Sequence, residues 1–372
     1  MKIKKIDIAL VMIMFAIFKM EGIPTAFKDG IQIFSLLTAL LMFVSQYKIA
    51  IKDISFLIIV PVVFSTVYSY LEGNINTNNV LNCFFYMFSI WMYSNIIGQY
   101  YKIGQSKRLI KIMKNILLFF SILTIISILT IGVADTGITT YLFGGKFICC
   151  YLIILTIVFI IVSKKRMKII PLMFLMSMSI MFNIYFSCST GIIITVLLFF
   201  LLIVPDGIKK ILCNPIVVLV SIIASGGIIM VIELILQNSI VNKFIVEVLG
   251  KDISLSGRMP IYSYYLFPAI KNNPIVGYGY GSAILHKTTP YWNAQNGLLD
   301  YSLNFGIIGA LALLILFYFV FKSNKGKYWP MYSYIYILIV AAIWECSFNM
   351  FLYIILILIY HLNGGVKNEI SS

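Results

Sequence analysis

Residues Ser256 to Gly309 read SGRMPIYSYYLFPAIKNNPIVGYGYGSAILHKTTPYWNAQNGLLDYSLNFGIIG. This polar, glycine-punctuated stretch interrupts a chain that is otherwise a succession of apolar runs. A protein whose residues are 61% hydrophobic and 11% charged needs no long aqueous segment to fold, so a single large one is where chemistry is expected. On either side of it the apolar runs are roughly 16 to 24 residues long, enough to cross a hydrocarbon core of about 30 Å. With a mean hydropathy of +1.00 over 372 residues, the sequence predicts an all-α, polytopic integral membrane bundle with no separate soluble domain.

The net charge of +15 does not point to nucleic acid. Lysines fall in short clusters between apolar runs, where they orient a membrane protein, and nucleic acid is excluded as a partner. The start, with Lys2, Lys4 and Lys5 ahead of an apolar run, resembles a signal peptide. Lys19, Glu21 and Pro24 then stand where a small-residue cleavage site would be, which predicts an uncleaved first span. Cys83, Cys149, Cys150, Cys188, Cys213 and Cys346 lie in or beside apolar runs without C-x-x-C spacing, and read as small packing residues.

Runs bounded by charge, proline or glycine give about twelve predicted spans. They run approximately from Ile6 to Met20, Gly30 to Tyr47, Ile54 to Leu71 and Val80 to Gly98. Four more cover Ile112 to Val133, Gly145 to Ser163, Ile169 to Phe186 and Thr190 to Pro205. The last four cover Asn214 to Gln237, Asn304 to Phe321, Pro330 to Glu345 and Phe348 to Leu362. The first, eighth and last two are short for a bilayer, which calls for tilting, local thinning or a partly re-entrant path.

With the N-terminus inside, the inner segments hold 20 of the 28 basic residues, in clusters such as Lys102 to Lys114 and Lys164 to Lys168. The short outer loops hold only Lys28 and Lys146. That alternation predicts a multi-pass protein of the cell membrane with both termini in the cytoplasm. The chain, 1–372, becomes one transmembrane domain, and residues 238–302, between spans nine and ten, become one large external loop. No internal repeat relates the halves, as it would in many secondary transporters.

Within the loop, Asn238 to Gly250 has apolar residues at helical spacing and predicts a helix lying on the membrane surface. Ser256, Gly257 and Arg258 form a turn, and Pro260 starts a helix carrying Tyr262, Tyr264, Tyr265 and Phe267, bent or ended at Pro268. Tyrosines here suit a lipid headgroup belt. Gly277, Gly279 and Gly281 predict a tight external turn; no strand precedes them, so they do not read as a nucleotide-binding motif.

The order S-G-R, aromatic helix, N-P-I-V-G-Y-G-Y-G, A-Q-N-G-L-L-D-Y and F-G-I-I-G resembles the signature region of the O-antigen ligase and polysaccharide polymerase (Wzy-like) family. There a G-R opens the loop, a P-x-x-G-x-G turn follows, and A-H-N-x-x-L precedes a G-I-x-G that begins the next span. Gln295 stands where that family commonly has histidine. Ser187-Cys188-Ser189-Thr190-Gly191 is similar to its S-x-S-R turn, with Thr190 in place of arginine. Trp344-Glu345 resembles an acidic position of many such polymerases.

The resemblance implies glycosyl transfer on the outer membrane face, with polyprenyl-diphosphate-linked oligosaccharides as donor and acceptor. It implies membrane lipid, a flippase and a chain-length regulator as partners. Diphosphate is a good leaving group, so the enzyme chiefly needs a cation for developing charge and positioned donors for two sugars. Arg258 is the expected cation, because a guanidinium fork binds phosphate oxygens bidentately and keeps its proton. Anchoring lipid headgroups or a loop carboxylate is its plainer reading. Glu345, His286 and Asp300 are the candidate bases for the acceptor proton, each also readable as structural.

Trp292, Asn293, Gln295 and Asn296, with Tyr262 and Tyr278, form the expected substrate-binding set, offering amides to hydroxyls and aromatic faces to sugar rings. Ordinary loop capping is the alternative for the amides. Glu233, Asn183 and Asn95 are polar groups inside spans, a position that favours a cavity or partner. No carboxylate cluster of metal-binding spacing occurs, so neither a metal nor another cofactor is expected. An O-antigen-type ligase would differ only in acceptor. A lipid-linked oligosaccharide flippase would show paired halves and no long loop, and a non-enzymatic partner of the assembly machinery is the third reading.

Overall fold

The computed structural model describes residues 4–50, 53–131, 140–164, 167–185, 187–236, 261–286, 293–323 and 328–364. Among them the regular structure is helical apart from one bridge between Tyr141 and Gly144. The first helices are α1 (Lys5–Ile17), α2 (Thr25–Val44), α3 (Phe56–Leu71) and α4 (Thr77–Lys102). Next come α5 (Ser106–Ile131), α6 (Lys146–Ser163), α7 (Ile169–Tyr185) and α8 (Ser189–Ile203). A short α9 (Asp206–Leu212), not foreseen as a helix, turns off α8 by 119° and leads to α10 (Pro215–Leu236). Later in the chain a π-helix, π1 (Ile261–Leu266), runs into α11 (Phe267–Asn272). They are followed by α12 (Gly297–Lys322), α13 (Trp329–Ala341) and α14 (Met350–Leu362).

Each predicted apolar segment falls on one of these helices. Among the described residues α2, α4, α5, α6 and α12 are long and apolar enough to cross a membrane, and α8 with α9 makes a sixth, bent candidate. α3, α7, α13 and α14 are apolar but shorter. From Phe351 to Leu362 every residue of α14 is buried, and α13 and the middle of α6, Cys149 to Phe159, are nearly as enclosed, so these helices form the centre. A helix apolar on all sides is expected there. Peripheral helices turn large apolar side chains outward, among them Phe27, Phe34 and Leu41 on α2, Phe174 and Met181 on α7, and Ile216 and Val220 on α10. Such faces are costly in water and cost nothing against lipid tails.

The glycine turn is spliced into a helix. α12 breaks at Gly306, whose φ of 62° and ψ of −167° are non-helical. The break would orphan the carbonyls of Leu303 and Asn304 and the amides of Ile307 and Ile308. The 274–279 segment takes up all four. Tyr278 N–H donates to Leu303 C=O at 3.0 Å and Gly279 N–H to Asn304 C=O at 2.7 Å. In return Ile307 N–H donates to Pro274 C=O at 2.9 Å and Ile308 N–H to Ile275 C=O at 3.3 Å. Buried backbone groups must be paired, and in an apolar bundle the penalty for failing is steep. Three hydroxyls of α3 finish the joint. Ser65 Oγ donates to the carbonyls of Val276 and Asn304, Ser69 Oγ donates to Gly277 C=O, and Thr66 Oγ1 accepts from Tyr280 N–H.

The expected helix carrying Tyr262, Tyr264, Tyr265 and Phe267 forms in two pieces. Pro268 sits in the first turn of α11, where its missing N–H is harmless, and the wider π turn of π1 precedes it. Tyr262 and Tyr278 point inward, packing with Leu266, Leu285, Ala294 and Leu303, while Tyr264 is exposed. Much of the segment expected as an aqueous loop is therefore packed structure. The expected surface helix over 238–250 and the turn at Ser256–Arg258 lie outside the described residues.

Candidate functional site

Where α1 ends and α4, α6, α12 and α14 begin, the bundle forms an open cavity of about 630 Å³. Its polar lining comes from Lys19 and Glu21 beyond α1, Tyr86 on α4, Thr140 ahead of α6, Tyr280 after the glycine turn, Asp300 and Asn304 on α12, and Asn349 and Tyr353 at α14. These residues are far apart in sequence. The splice brings them together, because it fixes Tyr280 against the arm of α12 that carries Asp300 and Asn304.

That arm is held from its first residue. Asn296 caps α12, its Oδ1 accepting from Leu299 N–H at 3.0 Å, while its Nδ2 donates to Ser225 C=O at 2.9 Å and Ile343 C=O at 3.2 Å. Gly297 N–H donates to Ala342 C=O at 2.7 Å, tying the cap to the end of α13. One turn later Asp300 accepts from Ala294 N–H at 3.0 Å through Oδ1 and from Asn304 Nδ2 at 3.2 Å through Oδ2, with the Cys346 thiol a further hydrogen-bond partner. Asn304 is oriented in turn, donating to Asp300 C=O at 2.9 Å and accepting from Ser282 Oγ at 2.8 Å. A carboxylate fixed by several donors and lining a cavity is equipped to accept a proton from a bound hydroxyl.

Aromatic faces line the same cavity. Tyr86 lies 5.9 Å from Tyr280 and 6.5 Å from Tyr353, centroid to centroid, with the rings tilted by 31° and 42°. Burial, with smaller contributions from Cys83 and Glu21, pushes the Tyr280 hydroxyl up to about 12, so it keeps its proton and can donate at any physiological pH. Tyrosine faces beside oriented amides and a carboxylate suit a polyhydroxylated ligand, whose rings have apolar faces and whose rims carry hydroxyls.

A second cavity of about 510 Å³ adjoins the first, and Lys19, Glu21 and Tyr280 line both. Its other walls are α2 and the start of α4, including Lys28, Ile33, Asn78, Leu81 and Asn82. Glu21 Oε2 is 3.0 Å from Lys28 Nζ. Lys19 donates to Asn82 Oδ1 at 3.1 Å. Burial, chiefly, and the charge of Lys28 pull the Lys19 pKa down against Glu21 and Asp29, which raise it.

Of the residues expected to act, Asp300 lines the cavity. Tyr262 and Tyr278 are buried, and their hydroxyls donate to Gln295 C=O and Ala269 C=O, each at 3.1 Å. Asn293 Oδ1 accepts from Gln295 N–H at 3.1 Å, and Gln295 has a φ of 53°, so this pair shapes the turn into α12. Asn296 is fully buried and acts as the cap. Glu345 is buried beyond α13 in the electrostatic reach of Tyr151 and Cys346, and is not among the cavity's lining residues. His286 is exposed and also apart from the cavity. Arg258 and Trp292 lie outside the described residues, as does the side chain of Glu233. Asn183 and Asn95 bond within the bundle, to Ser179 C=O and to Ala50 N–H and Trp91 C=O.

Sequence reasoning missed Lys19, Tyr86, Tyr280, Asn304 and Tyr353 as lining residues. Lys19 carried a signal of its own, as a cation at the end of a span instead of in an inner cluster. The tyrosines carried none, being three among 24. Among the described residues no group of three metal-ligating side chains occurs. No protein-family profile, curated protein or solved structure matches the chain.

Proposed function

We propose that this chain is a membrane polysaccharide polymerase, joining polyprenyl-diphosphate-linked oligosaccharide units on the outer face of the cell membrane. The observation that carries the reading is a single cavity lined by a fixed carboxylate, Asp300, an ammonium, Lys19, oriented amides and the faces of Tyr86, Tyr280 and Tyr353. The order of motifs from Ser256 to Gly309 supports it independently. On this reading the twelve apolar helices α1 to α8, α10 and α12 to α14 are the spans, and the shorter ones tilt or sit where the bilayer thins. The distribution of lysine supports an outward-facing cavity, on the side where exported lipid-linked saccharides are found.

The reaction follows from the chemistry of the groups. A hydroxyl of the acceptor saccharide attacks the anomeric carbon of the donor, and the bond from that carbon to the diphosphate oxygen breaks. Asp300 takes the hydroxyl proton, and the diphosphate leaves on its lipid with the electron pair. Tyrosine faces and amides hold the two sugars in line, which is worth more to the rate than any single group.

The test is a deletion strain supplied with plasmid copies of the gene. Loss of the protein should leave single repeat units on the lipid carrier and abolish long polymer, and the unaltered copy should restore it. Polymer of normal length in the deletion strain would refute the proposal.

A further inference from the structure

The two cavities meet at a charge that has no counter-charge in contact. Lys19 follows the end of α1 and lines both spaces. Among the described residues no carboxylate lies within 4.0 Å of its ammonium. Of the nearby acids, Glu21 is engaged by Lys28 and Asp29 acts on Lys19 without contacting it, and among the described residues the ammonium's hydrogen-bond partner is the neutral Asn82 amide. A half-buried ammonium without a contacting anion is under-compensated, and here burial already weighs on its charged form. A bound anion would relieve that penalty.

We propose that Lys19 holds the diphosphate of the lipid-linked donor at this junction, with the lipid tail leaving across the α2–α4 face and the saccharide entering the larger cavity. The assignment rests on the polymerase reading and adds to it a direction for the donor. Three features point the same way. On one side of Lys19 stand Tyr86, Tyr280 and Tyr353 with Asp300 and Asn304, the walls suited to sugar. On the other, the smaller cavity is bounded by Ile33 and Leu81, both exposed, and so reaches the bundle's apolar exterior. Beyond it Phe27, Phe34 and Leu41, seven residues apart on α2, form one exposed apolar stripe, and Phe84 is exposed on α4. A molecule with a polyprenyl tail, an anionic middle and a saccharide head matches that sequence of surfaces in order.

The experiment uses the full chain in phosphatidylcholine nanodiscs, with undecaprenyl diphosphate as probe and binding read by native mass spectrometry. Lys19→Gln should weaken binding by about tenfold or more, the scale of one lost charged hydrogen bond. Lys19→Arg, and Lys164→Gln at the exposed far end of α6, should each stay within about threefold of the unaltered protein. Equal binding by Lys19→Gln, or no binding by the unaltered protein, overturns the assignment. So does equal loss in Lys19→Arg, which would indicate packing in place of charge. Displacement of the probe by an equal amount of phosphatidylglycerol would mark a phospholipid headgroup site and also overturn it. The polymer assay in the deletion strain is scored separately, so the polymerase reading can fail or stand whatever Lys19 does.

Discussion

Gly277 packs directly on Gly306: a Cβ placed on Gly277 would stand 2.6 Å from the Gly306 nitrogen, and one placed on Gly306 would collide with the Ile275 carbonyl. Both residues have positive φ, 74° and 62°. Each glycine therefore serves two purposes, a left-handed backbone and a close approach, and together they let a loop complete a broken helix. The candidate site hangs on this joint, since it sets Tyr280 relative to Asp300.

Gly306→Ala should accordingly destabilise the protein by more than about 2 kcal/mol, because backbone strain and a backbone clash coincide. Thermal melting of the purified protein in detergent would show it, with polymer lost in cells. Gly30→Ala is the control. Gly30 lies within α2 with nothing within 4 Å of the added carbon, and alanine there should be neutral or slightly stabilising. Equal melting temperatures for the two variants would disprove the splice.

Ser65→Ala tests the same joint from α3. It removes one hydroxyl that serves the carbonyls of both Val276 and Asn304. Asn304 C=O keeps Gly279 N–H, but Val276 C=O loses its hydroxyl donor, and an unsatisfied buried acceptor costs about 1–3 kcal/mol, so a clear drop in melting temperature is expected. Ser163→Ala, at the exposed end of α6 where the hydroxyl bonds only Ile160 C=O, should change little.

The helices were legible because apolar length and flanking charge are local signals. Each predicted apolar segment became a helix, with ends displaced by up to seven residues. Gly277, Gly279 and Gly281 were legible as a tight turn, all three having positive φ. Their docking partner was not, since Gly306 sits inside a run that reads as continuous span, and only the approach of residues 274–279 explains its break. Asp300 was recoverable as a carboxylate near a span end. Asn296 and Tyr262 drew attention as a polar group and an aromatic in a signature segment, yet the same features serve packing and capping, and residue type alone does not separate these uses.

Asp300→Asn should cut polymer formation by about a hundredfold or more, the usual contribution of a positioned general base. The variant keeps its size, so the cavity persists. Protein level and melting temperature must be measured alongside, because an amide NH₂ facing Ala294 N–H or Asn304 Nδ2 would cost stability. Near-normal polymer from a stably expressed Asp300→Asn chain would move the base role elsewhere, and Glu345→Gln and His286→Gln would then be the next variants to test.

At the other end of the bundle Asp53 ties α14 to α4. Its Oδ1 accepts from Ser94 Oγ and from Ser55 N–H at 2.8 Å, while its Oδ2 is 3.6 Å from His361 Nε2, which also bonds Ser94 at 2.9 Å. Burial raises the Asp53 pKa, but the hydrogen bond and charge of His361, with Ser94 and Ser55, outweigh it and hold the carboxyl below its ordinary value of 3.8. A carboxyl depressed in the folded state stabilises above its unfolded pKa. That stability is lost as pH falls below 3.8 toward the folded value. Melting temperature should thus be level from neutral to about pH 5 and fall below it. Asp53→Asn should melt lower at pH 7 and lose part of the acid dependence; an unchanged acid limb would mean other carboxyls govern it.

Asn296 separates binding from architecture. If it holds sugar, Asn296→Ala should weaken substrate affinity while leaving the melting temperature alone. The structure commits its Oδ1 to Leu299 and its Nδ2 to Ser225 and Ile343, in a position with no exposed surface, so the opposite is expected. Loss of a cap and two buried donor bonds should cost about 2–4 kcal/mol. Asn296→Asp keeps the cap acceptor but removes both donors, and sets a carboxylate against the carbonyls of Ser225 and Ile343. It should therefore be no better than Asn296→Ala. Full stability in either variant, together with a raised half-saturating concentration of lipid-linked substrate, would return Asn296 to the binding site.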